Sequence, residues 1–290
     1  MVQTILRGEL MKHILIVGHG FVGKAVEHGF TTSNCQVTVC DPKYNVYLDD
    51  LLDTVRPGES RFDATFVCVP TPYGEGGTID DSIVNDVVEL LTQVKASGII
   101  VVKSTVTPDV IGKLANLSKR VVYNPEFLTE GRAFEDFVNP RIHVFGGEEE
   151  VCKQIEHLYK EASKCKPCPS IFVSPEEASF IKYGINCFLA TKVLWFNQFK
   201  DIIDMNGSNY HKIINAIGTD PRVGFSHTSV PGFDGRKGFC GACFPKDTSA
   251  FSHYAEGVFT VLDEVIEANK AYRCAYSLDD REKEQKITYE

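Results

Sequence analysis

Two thiols, an ammonium group and a carboxylate occur close together in the stretch GFCGACFPKD at 238–247. Small residues flank Cys243, so a ligand can approach its sulfur, and a thiolate is a strong nucleophile. Lys246 supplies a nearby cation, and Asp247 supplies a carboxylate that can hold or deprotonate a water molecule. The stretch equally fits a buried cysteine in a glycine-rich turn, because free cysteine is often a small core residue. The rest of the chain must decide between these two interpretations.

The composition is that of an ordinary globular protein with an acidic balance. The chain has 290 residues, 24% of them charged, and a net charge of −9. This length fits one large domain or two smaller ones, and the charge argues against a broad nucleic-acid surface. The chain contains no apolar run long enough to span a membrane, and its first residues lack the anatomy of a secretion signal. We therefore expect no nucleic-acid or membrane partner, and we interpret residues 1–10 as an N-terminal extension.

The chain contains ten cysteines. Without a secretion signal they indicate free thiols in a reducing compartment, so we expect a cytoplasmic protein. Two C-x-x-C pairs, Cys165/Cys168 and Cys240/Cys243, raise the question of a zinc site. The gap between the pairs is far longer than in zinc ribbons. We therefore predict no metal site.

Short apolar runs alternate with helix-length segments through the first half of the chain. The run at 13–17 leads into GHGFVG, the run at 36–40 ends at Asp41, and a helix is predicted between them at 21–30. Further strands are predicted at 64–69, 99–103, 120–123, 142–145 and 171–173, and further helices at 82–95, 108–117 and 148–162. This alternation predicts an α/β fold with a Rossmann-type, doubly wound, mostly parallel sheet over residues 11–173.

The pattern changes after residue 173. Apolar residues at helical spacing predict one long central helix within 174–206. A small all-helical domain follows at 207–276, with helices predicted at 210–217, 248–255 and 258–272. The charged tail at 277–290 lacks an apolar face and is interpreted as frayed helix or disorder.

The GHGFVG turn predicts a dinucleotide site. Gly18 permits a tight turn, Gly20 lets the backbone approach a pyrophosphate, and Gly23 lets the helix pack on the sheet. Asp41 can accept hydrogen bonds from ribose hydroxyls and repels a 2′-phosphate, which favours NAD over NADP. FAD is the main competing cofactor, although nothing further along the chain suggests a flavin. The other cofactor residues predicted in this turn are Phe21 and Val22.

Polar side chains follow the third and fourth strands. Thr71 and Pro72 follow the third strand, and Ser104 and Thr105 follow the fourth. Ligands of such sheets bind outside the carboxyl ends of the strands, so these residues are candidates for contacting the cofactor. The alternative is that the hydroxyls merely cap the helices that follow.

Taken together, the motifs resemble the UDP-glucose/GDP-mannose dehydrogenase family, the NAD-dependent nucleotide-sugar dehydrogenases. The resemblance extends from Lys12 to about Lys270. It is carried, in family order, by GHGFVG, VPTP, KSTVTP, NPEFLTEG, ASFIKYGINCFLATKVLWFNQ, DPRVG and GFCGACFPKD.

The resemblance implies oxidation of the primary alcohol of a UDP-glucose-like nucleotide sugar to a carboxylate with two NAD. Cys243 would form a thiohemiacetal and then a thioester. Lys182 and Asn186, four apart on one helix, would hold the oxyanion, while Asp247 and Thr105 would position water. The residue that would assist thioester hydrolysis is Glu126.

The resemblance also implies the substrate contacts. Phe127, Leu128 and Glu130 would line the sugar and nicotinamide end, and Lys246 would contact the substrate. Arg222 would reach across the interface of a homodimer formed by the helical domain. Each residue also has a simpler interpretation. These are a surface lysine for Lys182, a solvated amide for Asn186, a helix-start carboxylate for Glu126 and an ion pair with Asp220 for Arg222.

The chain departs from the family in two respects. Members of the family carry a second α/β domain that grips the nucleotide, and we expect this chain to lack it. Substrate affinity would then be weak, a separate chain would supply the domain, or turnover would be lost. Cys240 also stands where the family has glycine, so its side chain is expected to crowd the turn. The competing functions are a two-electron hydroxyacid-type dehydrogenase and a catalytically silent NAD-binding module.

Overall fold

The computed structural model describes residues 11–53, 61–94, 98–129 and 131–289. Its internal contacts divide the chain into two units. The sheet unit comprises Met1–Thr71 and Asp81–Lys182, and the helical unit comprises Pro72–Asp80 and Tyr183–Glu290. The predicted extension at 1–10 and the predicted site residue Glu130 lie outside the described residues.

The sheet unit is built on a central sheet. Its strands are β1 (Lys12–Val17), β2 (Cys35–Cys40), β3 (Ala64–Val67), β4 (Ile99–Val102), β5 (Val121–Tyr123), β6 (His143–Gly146) and β7 (Ser170–Val173). Within the described residues they form one seven-stranded sheet in the order β2-β1-β3-β4-β5-β6-β7. All neighbouring strands are parallel except β5 and β6, which are antiparallel. The predicted mostly parallel α/β sheet is confirmed.

Helices pack on this sheet because its central strands are apolar on both faces. They are α1 (Phe21–Phe30), α2 (Leu48–Asp53), α3 (Ser82–Gln93), α4 (Pro108–Leu117), α5 (Ala133–Val138) and α6 (Glu149–Ala162). Phe30, Phe137 and Tyr159, from α1, α5 and α6, share one buried cluster with the strand residues Ile14 and Phe66. Helices α3 and α4 contact β3, β4 and β5. The layers form a doubly wound fold.

The long helix α7 (Pro175–Met205) confirms the predicted central helix. The helical unit continues with α8 (Tyr210–Gly218), α9 (Phe244–Tyr254), α10 (Thr260–Arg273) and α11 (Asp280–Glu284). One apolar cluster joins α7 to α8 through Phe196, Ile203 and Ile214. A second cluster joins α7 to α10 through Leu194 and Val265. None of the helices in the described ranges has both the length and the hydropathy that a membrane span requires.

Several elements differ from the sequence-based prediction, and helices α2 and α5 were not predicted at all. Helix α9 begins at Phe244 rather than at Thr248, because Pro245 is well suited to the first turn of a helix. The tail was expected to be frayed or disordered, but Asp279 and Glu282 form a capping box that starts α11. Glu282 is fully buried, and Ile287 is 3% exposed. The tail therefore packs into the helical unit.

Candidate active site

The glycine-rich turn after β1 has the geometry of a dinucleotide site. Gly18 has a φ of 89°, and a Cβ there would lie 2.7 Å from the carbonyl oxygen of Cys68. A Cβ at Gly23 would lie 2.1 Å from the carbonyl oxygen of Gly18. Gly20 is the N-cap residue of α1, and a Cβ built on it meets nothing within 4 Å. The backbone at Gly20 is thus open to a ligand beside a helix N-terminus, which fits a pyrophosphate. The half-buried first turn of α1 is formed by Phe21 and Val22.

Asp41 joins the end of β2 to the glycine-rich turn. Its carboxylate accepts the backbone N–H of His19 at 2.6 Å and that of Lys43 at 2.8 Å. A carboxylate has about four lone-pair positions, so it can still accept hydrogen bonds from ribose hydroxyls. The sequence did not identify His19, whose ring nitrogens lie 2.9 Å from the Tyr44 hydroxyl and 2.8 Å from Glu27. The turn and the acidic residue together fit NAD.

The hydroxyls after β3 and β4 connect the two strand ends. Thr71 Oγ1 donates to the carbonyl of Thr105 at 2.9 Å, and Ser104 Oγ donates to the carbonyl of Val69 at 2.7 Å. Neither hydroxyl caps the α-helix that follows it, since the N-cap residues of α3 and α4 are Asp81 and Thr107. Pro72 belongs to the helical unit, where its carbonyl accepts the N–H of Asp80 at 2.8 Å.

Lys182 and Glu126 form a buried ion pair in the sheet unit. Lys182 Nζ donates to Glu126 Oε1 at 2.9 Å and to the Glu126 carbonyl at 2.6 Å. The second carboxylate oxygen of Glu126 accepts the N–H of Leu128 at 2.6 Å. Lys182 is 2% exposed and Glu126 is 8% exposed, so neither is an ordinary surface residue. The ring of Phe127 lies 5.6 Å from the Lys182 ammonium.

Lys103 is a second buried cation of the sheet unit, and it was not identified as a site residue from the sequence. Lys103 Nζ donates to the carbonyl of Asn124 at 2.9 Å and to its Oδ1 at 3.0 Å. The hydroxyl of Tyr159 donates to the same Oδ1 at 2.8 Å. Burial lowers the pKa of Lys103 to about 8. The signal in the sequence was a lysine directly after an apolar strand, but its partner lies 21 residues further along.

The helical unit contains a second buried network, centred on Asp247. Asn186 Nδ2 donates to Asp247 Oδ2 at 2.6 Å, and Lys246 Nζ donates to Asp247 Oδ1 at 2.6 Å. Asp247 is 1% exposed and Asn186 is 7% exposed, so Asn186 is not a solvated amide. The Asp247 N–H donates to the carbonyl of Cys243 at 2.8 Å. The predicted thiol, carboxylate, ammonium and amide therefore belong to one local structure.

Cys243 is the half-buried N-cap residue of α9. A thiolate at this position would lie at the positive end of the helix dipole. All ten cysteines, this one included, are thiols. Cys243 is therefore not a fully buried core thiol.

Cys240 does not crowd the turn as expected. The positive φ angles fall on Gly238, at 82°, and on Gly241, at 84°, whereas Cys240 is not among the described non-glycine residues with positive φ. Its thiol is buried and hydrogen-bonded to Asp234. An L-residue fits at 240 because the left-handed positions are elsewhere.

Arg222 forms an ion pair with Asp220. Its Nη2 donates to Asp220 Oδ2 at 2.6 Å, and its Nε donates to Asp220 Oδ1 at 3.0 Å. The Arg222 side chain remains 87% exposed.

Comparison with family models gives two matches. The NAD binding domain of the UDP-glucose/GDP-mannose dehydrogenase family matches residues 52–163. The central domain of the same family matches residues 176–271. Together they account for more than half of the chain.

Individual relatives agree with these matches. The chain is 29% identical to the UDP-glucose 6-dehydrogenase TuaD of Bacillus subtilis (strain 168), over 91% of this chain and 64% of the relative. It is 34% identical to the UDP-glucose 6-dehydrogenase AglM of Haloferax volcanii, over 70% of this chain and 48% of the relative. The chain thus spans about half to two thirds of the length of these curated relatives.

A solved structure has the same fold. A UDP-glucose dehydrogenase from the hyperthermophilic archaeon Pyrobaculum islandicum matches with a TM-score of 0.75 and 26% identity. The match covers 92% of this chain and 70% of that structure.

Proposed function

We propose that this chain, which belongs to the UDP-glucose/GDP-mannose dehydrogenase family, is an NAD-dependent nucleotide-sugar 6-dehydrogenase. It would oxidise the primary alcohol of a UDP-glucose-like substrate to the carboxylate. The observation that carries the proposal is the placement of Cys243 as the N-cap residue of α9 and of Asp247 in the first turn of the same helix. Asp247 is buried and bonded to both Lys246 and Asn186. A two-electron dehydrogenase has no need of this thiol.

NAD, when bound, would supply the hydride acceptor for both oxidations. Gly18, Gly20 and Gly23 would hold its pyrophosphate, and Asp41 would hold its adenosine ribose. The other residues proposed to contact it are Phe21, Val22, Thr71, Pro72, Ser104 and Thr105.

The first oxidation requires stabilisation of negative charge on the sugar oxygen. We assign this role to Lys182 and Asn186, which both lie on α7. Glu126 holds the Lys182 ammonium through two contacts, so the cation is already oriented. The Asn186 amide has two N–H groups, and Asp247 accepts one of them. Preorganised donors of this kind stabilise a developing charge without reorganisation.

The second oxidation requires a covalent intermediate. The Cys243 thiolate would add to the aldehyde carbon and form a thiohemiacetal, whose oxidation leaves a thioester. Asp247 and Thr105 would position the water that attacks this thioester, and Glu126 would assist its hydrolysis. The reaction ends with the carboxylate product and the regenerated thiol. Substrate contacts are assigned to Phe127, Leu128 and Lys246. We also propose a cytoplasmic location, because a nucleophilic thiol persists best in a reducing compartment.

We also propose a homodimer formed through the helical unit. Ile185, Phe188, Trp195, Ile202 and Met205 are exposed at intervals of three and seven residues along α7, which puts them on one face. Phe188 is 65% exposed and Ile202 is 64% exposed. A contiguous apolar face of this kind marks a protein interface. Arg222, with its exposed guanidinium, would reach the substrate of the second copy.

The test is the stoichiometry of NADH production with a limiting amount of sugar. Purified protein is mixed with NAD and with UDP-glucose, GDP-mannose or UDP-ManNAc, and NADH absorbance is followed. The proposal requires two NADH per sugar for the parent and one at most for Cys243→Ser. The matched control is Cys274→Ser, because Cys274 is exposed. One NADH per sugar in the parent would point to a two-electron dehydrogenase, and silence with NAD still bound would point to a binding module.

A further inference from the structure

The turn that precedes α9, residues 238–243, is held by buried polar side chains from other parts of the helical unit. We call it the cysteine turn. Asn197 Oδ1 accepts the N–H of Gly238 at 3.1 Å. Asn269 Oδ1 accepts the N–H of Phe239 at 2.7 Å, and its Nδ2 donates to the Phe239 carbonyl at 3.1 Å. Both asparagines are at most 2% exposed. These contacts fix the first half of the turn.

The second half of the turn is held by the chain's C-terminal tail. Glu282 Oε1 accepts the N–H of Gly241 at 3.4 Å. The same oxygen accepts the Tyr289 hydroxyl at 2.7 Å and Arg273 Nη2 at 3.3 Å. The other oxygen, Oε2, accepts the N–H of Asp279 at 2.9 Å within the capping box. Glu282 is thus a fully buried carboxylate whose partners lie in the tail, on α10 and in the cysteine turn.

Arg273 completes a path from Glu282 back to the turn. It is 1% exposed, and its Nη1 donates to Asp234 Oδ2 at 2.6 Å. Asp234 is in turn hydrogen-bonded to the Cys240 thiol. Burial raises the pKa of this thiol, so Cys240 stays neutral, and Arg273 forms ion pairs with both Asp234 and Glu282. Glu282 therefore contacts Gly241 of the cysteine turn directly, and it is linked to Cys240 through Arg273 and Asp234.

We propose that Glu282 is a positioning residue for Cys243, which it acts on by fixing the cysteine turn through Gly241 and Arg273. The inference rests on the proposed function, because the nucleophilic role of Cys243 is itself proposed. Gly241 has a φ of 84° and lies two residues before Cys243. Through the hydrogen bond from this N–H to Glu282, the tail holds Gly241 in the left-handed conformation that precedes α9. Without that carboxylate the turn can relax, and Cys240 then becomes accessible to solvent.

The experiment measures alkylation of each cysteine by iodoacetamide in the full chain, with peptide mass spectrometry. In Glu282→Ala, the ratio of Cys240 to Cys243 labelling rises at least fivefold over the parent. Glu282→Gln keeps an oxygen for Gly241 but loses the charge opposite Arg273, so its rise is two- to threefold. Glu284→Ala, an exposed neighbour on α11, labels like the parent. Cys68 and Cys152, buried in the sheet unit, report on unfolding of the chain as a whole.

Turnover provides the second readout. With a nucleotide sugar that the parent oxidises, kcat falls at least tenfold in Glu282→Ala, while KM for NAD is unchanged. Parent-like labelling of Cys240 in both Glu282 variants, or an unchanged kcat, would overturn the positioning role. A rise that Cys68 and Cys152 share in both variants would also overturn it, because Glu282 would then support folding generally. If the parent does not oxidise any sugar, the proposed function fails, and the labelling pattern still decides the inference.

Discussion

The ammonium of Lys182 donates to Glu126 twice, at 2.9 Å to its carboxylate and at 2.6 Å to its backbone carbonyl. Both side chains are almost completely buried. The pair therefore fixes the NPEFL loop and the lysine together, so the proposed oxyanion donor and the proposed hydrolytic carboxylate are not independent. A change in either residue has to be interpreted as a change in both.

Breaking this pair will be costly. Glu126→Leu leaves the Lys182 ammonium buried without its carboxylate, and we expect the free energy of unfolding to fall by about 3–5 kcal/mol. The double variant Glu126→Leu/Lys182→Met will regain much of this loss, because no buried charge remains. Guanidinium unfolding of the parent, both single variants and the double variant measures the coupling. As a control, Glu149→Leu breaks an exposed pair with Lys153 and will change stability little. Additive losses in the double variant would contradict the prediction.

Asp247→Asn will lower kcat by about 10²-fold or more, which is the usual contribution of a general base. The asparagine keeps one oxygen acceptor, which can serve Lys246 or Asn186 but not both, so the loss includes the weakened network as well as the missing base. The assay is NADH production, with NAD binding measured separately by calorimetry. NAD binding will be unchanged. Glu264→Gln, at an exposed position on α10, is the control. If Asp247→Asn turned over at the parent's rate, the proposed role of Asp247 would be wrong.

Lys103 predicts a dependence of stability on pH. Burial lowers its pKa from 10.5 to about 8 in the folded chain. Between these values the unfolded state binds more protons than the folded state, so stability rises with pH. Relative to Lys103→Met, the parent will gain up to about 3 kcal/mol as the pH rises from about 8 to about 10.5, and it loses this gain as the pH falls back. Urea unfolding of both proteins at several pH values checks this, and a constant difference would refute it.

Asp41→Ala will weaken NAD binding by about tenfold, as expected for the loss of one charge-assisted hydrogen bond. The ratio of the affinity for NAD to the affinity for NADP will also fall, because the carboxylate no longer repels the 2′-phosphate. Calorimetric titration with NAD and with NADP measures both effects without requiring turnover. Asp49→Asn, an exposed position on α2, is the control. Unchanged preference for NAD in Asp41→Ala would contradict the assignment.

Phe188→Glu will shift the protein from dimer to monomer, because a charge in an apolar interface must be desolvated. Size-exclusion chromatography with light scattering gives the mass of each species. Phe134→Glu changes an exposed aromatic residue on α5 in the sheet unit and will leave the mass unchanged. A monomeric parent would contradict the proposed dimer directly.

Local signals in the sequence predicted helix bounds correctly where glycine or proline marks the start of the helix. The helix predicted at 21–30 and the helix predicted at 108–117 have the predicted ends, because a glycine turn and a proline mark their starts. The start of α9 was missed, since GFCGACFPKD looked like loop throughout. The charged composition of the tail predicts frayed helix or disorder, whereas Asp279 and Glu282, which have capping-box spacing, start a short ordered helix.

The contacts within each of the two buried networks depend on residues that are distant in sequence. Asn186 and Asp247 are 61 residues apart, and Glu126 and Lys182 are 56 apart. The motifs identified the chemical groups, but each pair forms only when segments that are distant along the chain fold together. The family resemblance assigned a role to Lys182 without indicating that Glu126 would hold it. Lys103 was passed over because its partner depends on how β4 and β5 lie together in the sheet.

The distribution of φ angles in the cysteine turn has an evolutionary consequence. Left-handed backbone at Gly238 and Gly241 restricts these two positions to glycine, while position 240 between them tolerates a side chain. Mutational drift can therefore exchange the residue at 240 without disturbing the path of the chain. A library that randomises the turn should therefore recover residues other than glycine at 240 and almost only glycine at 238 and 241.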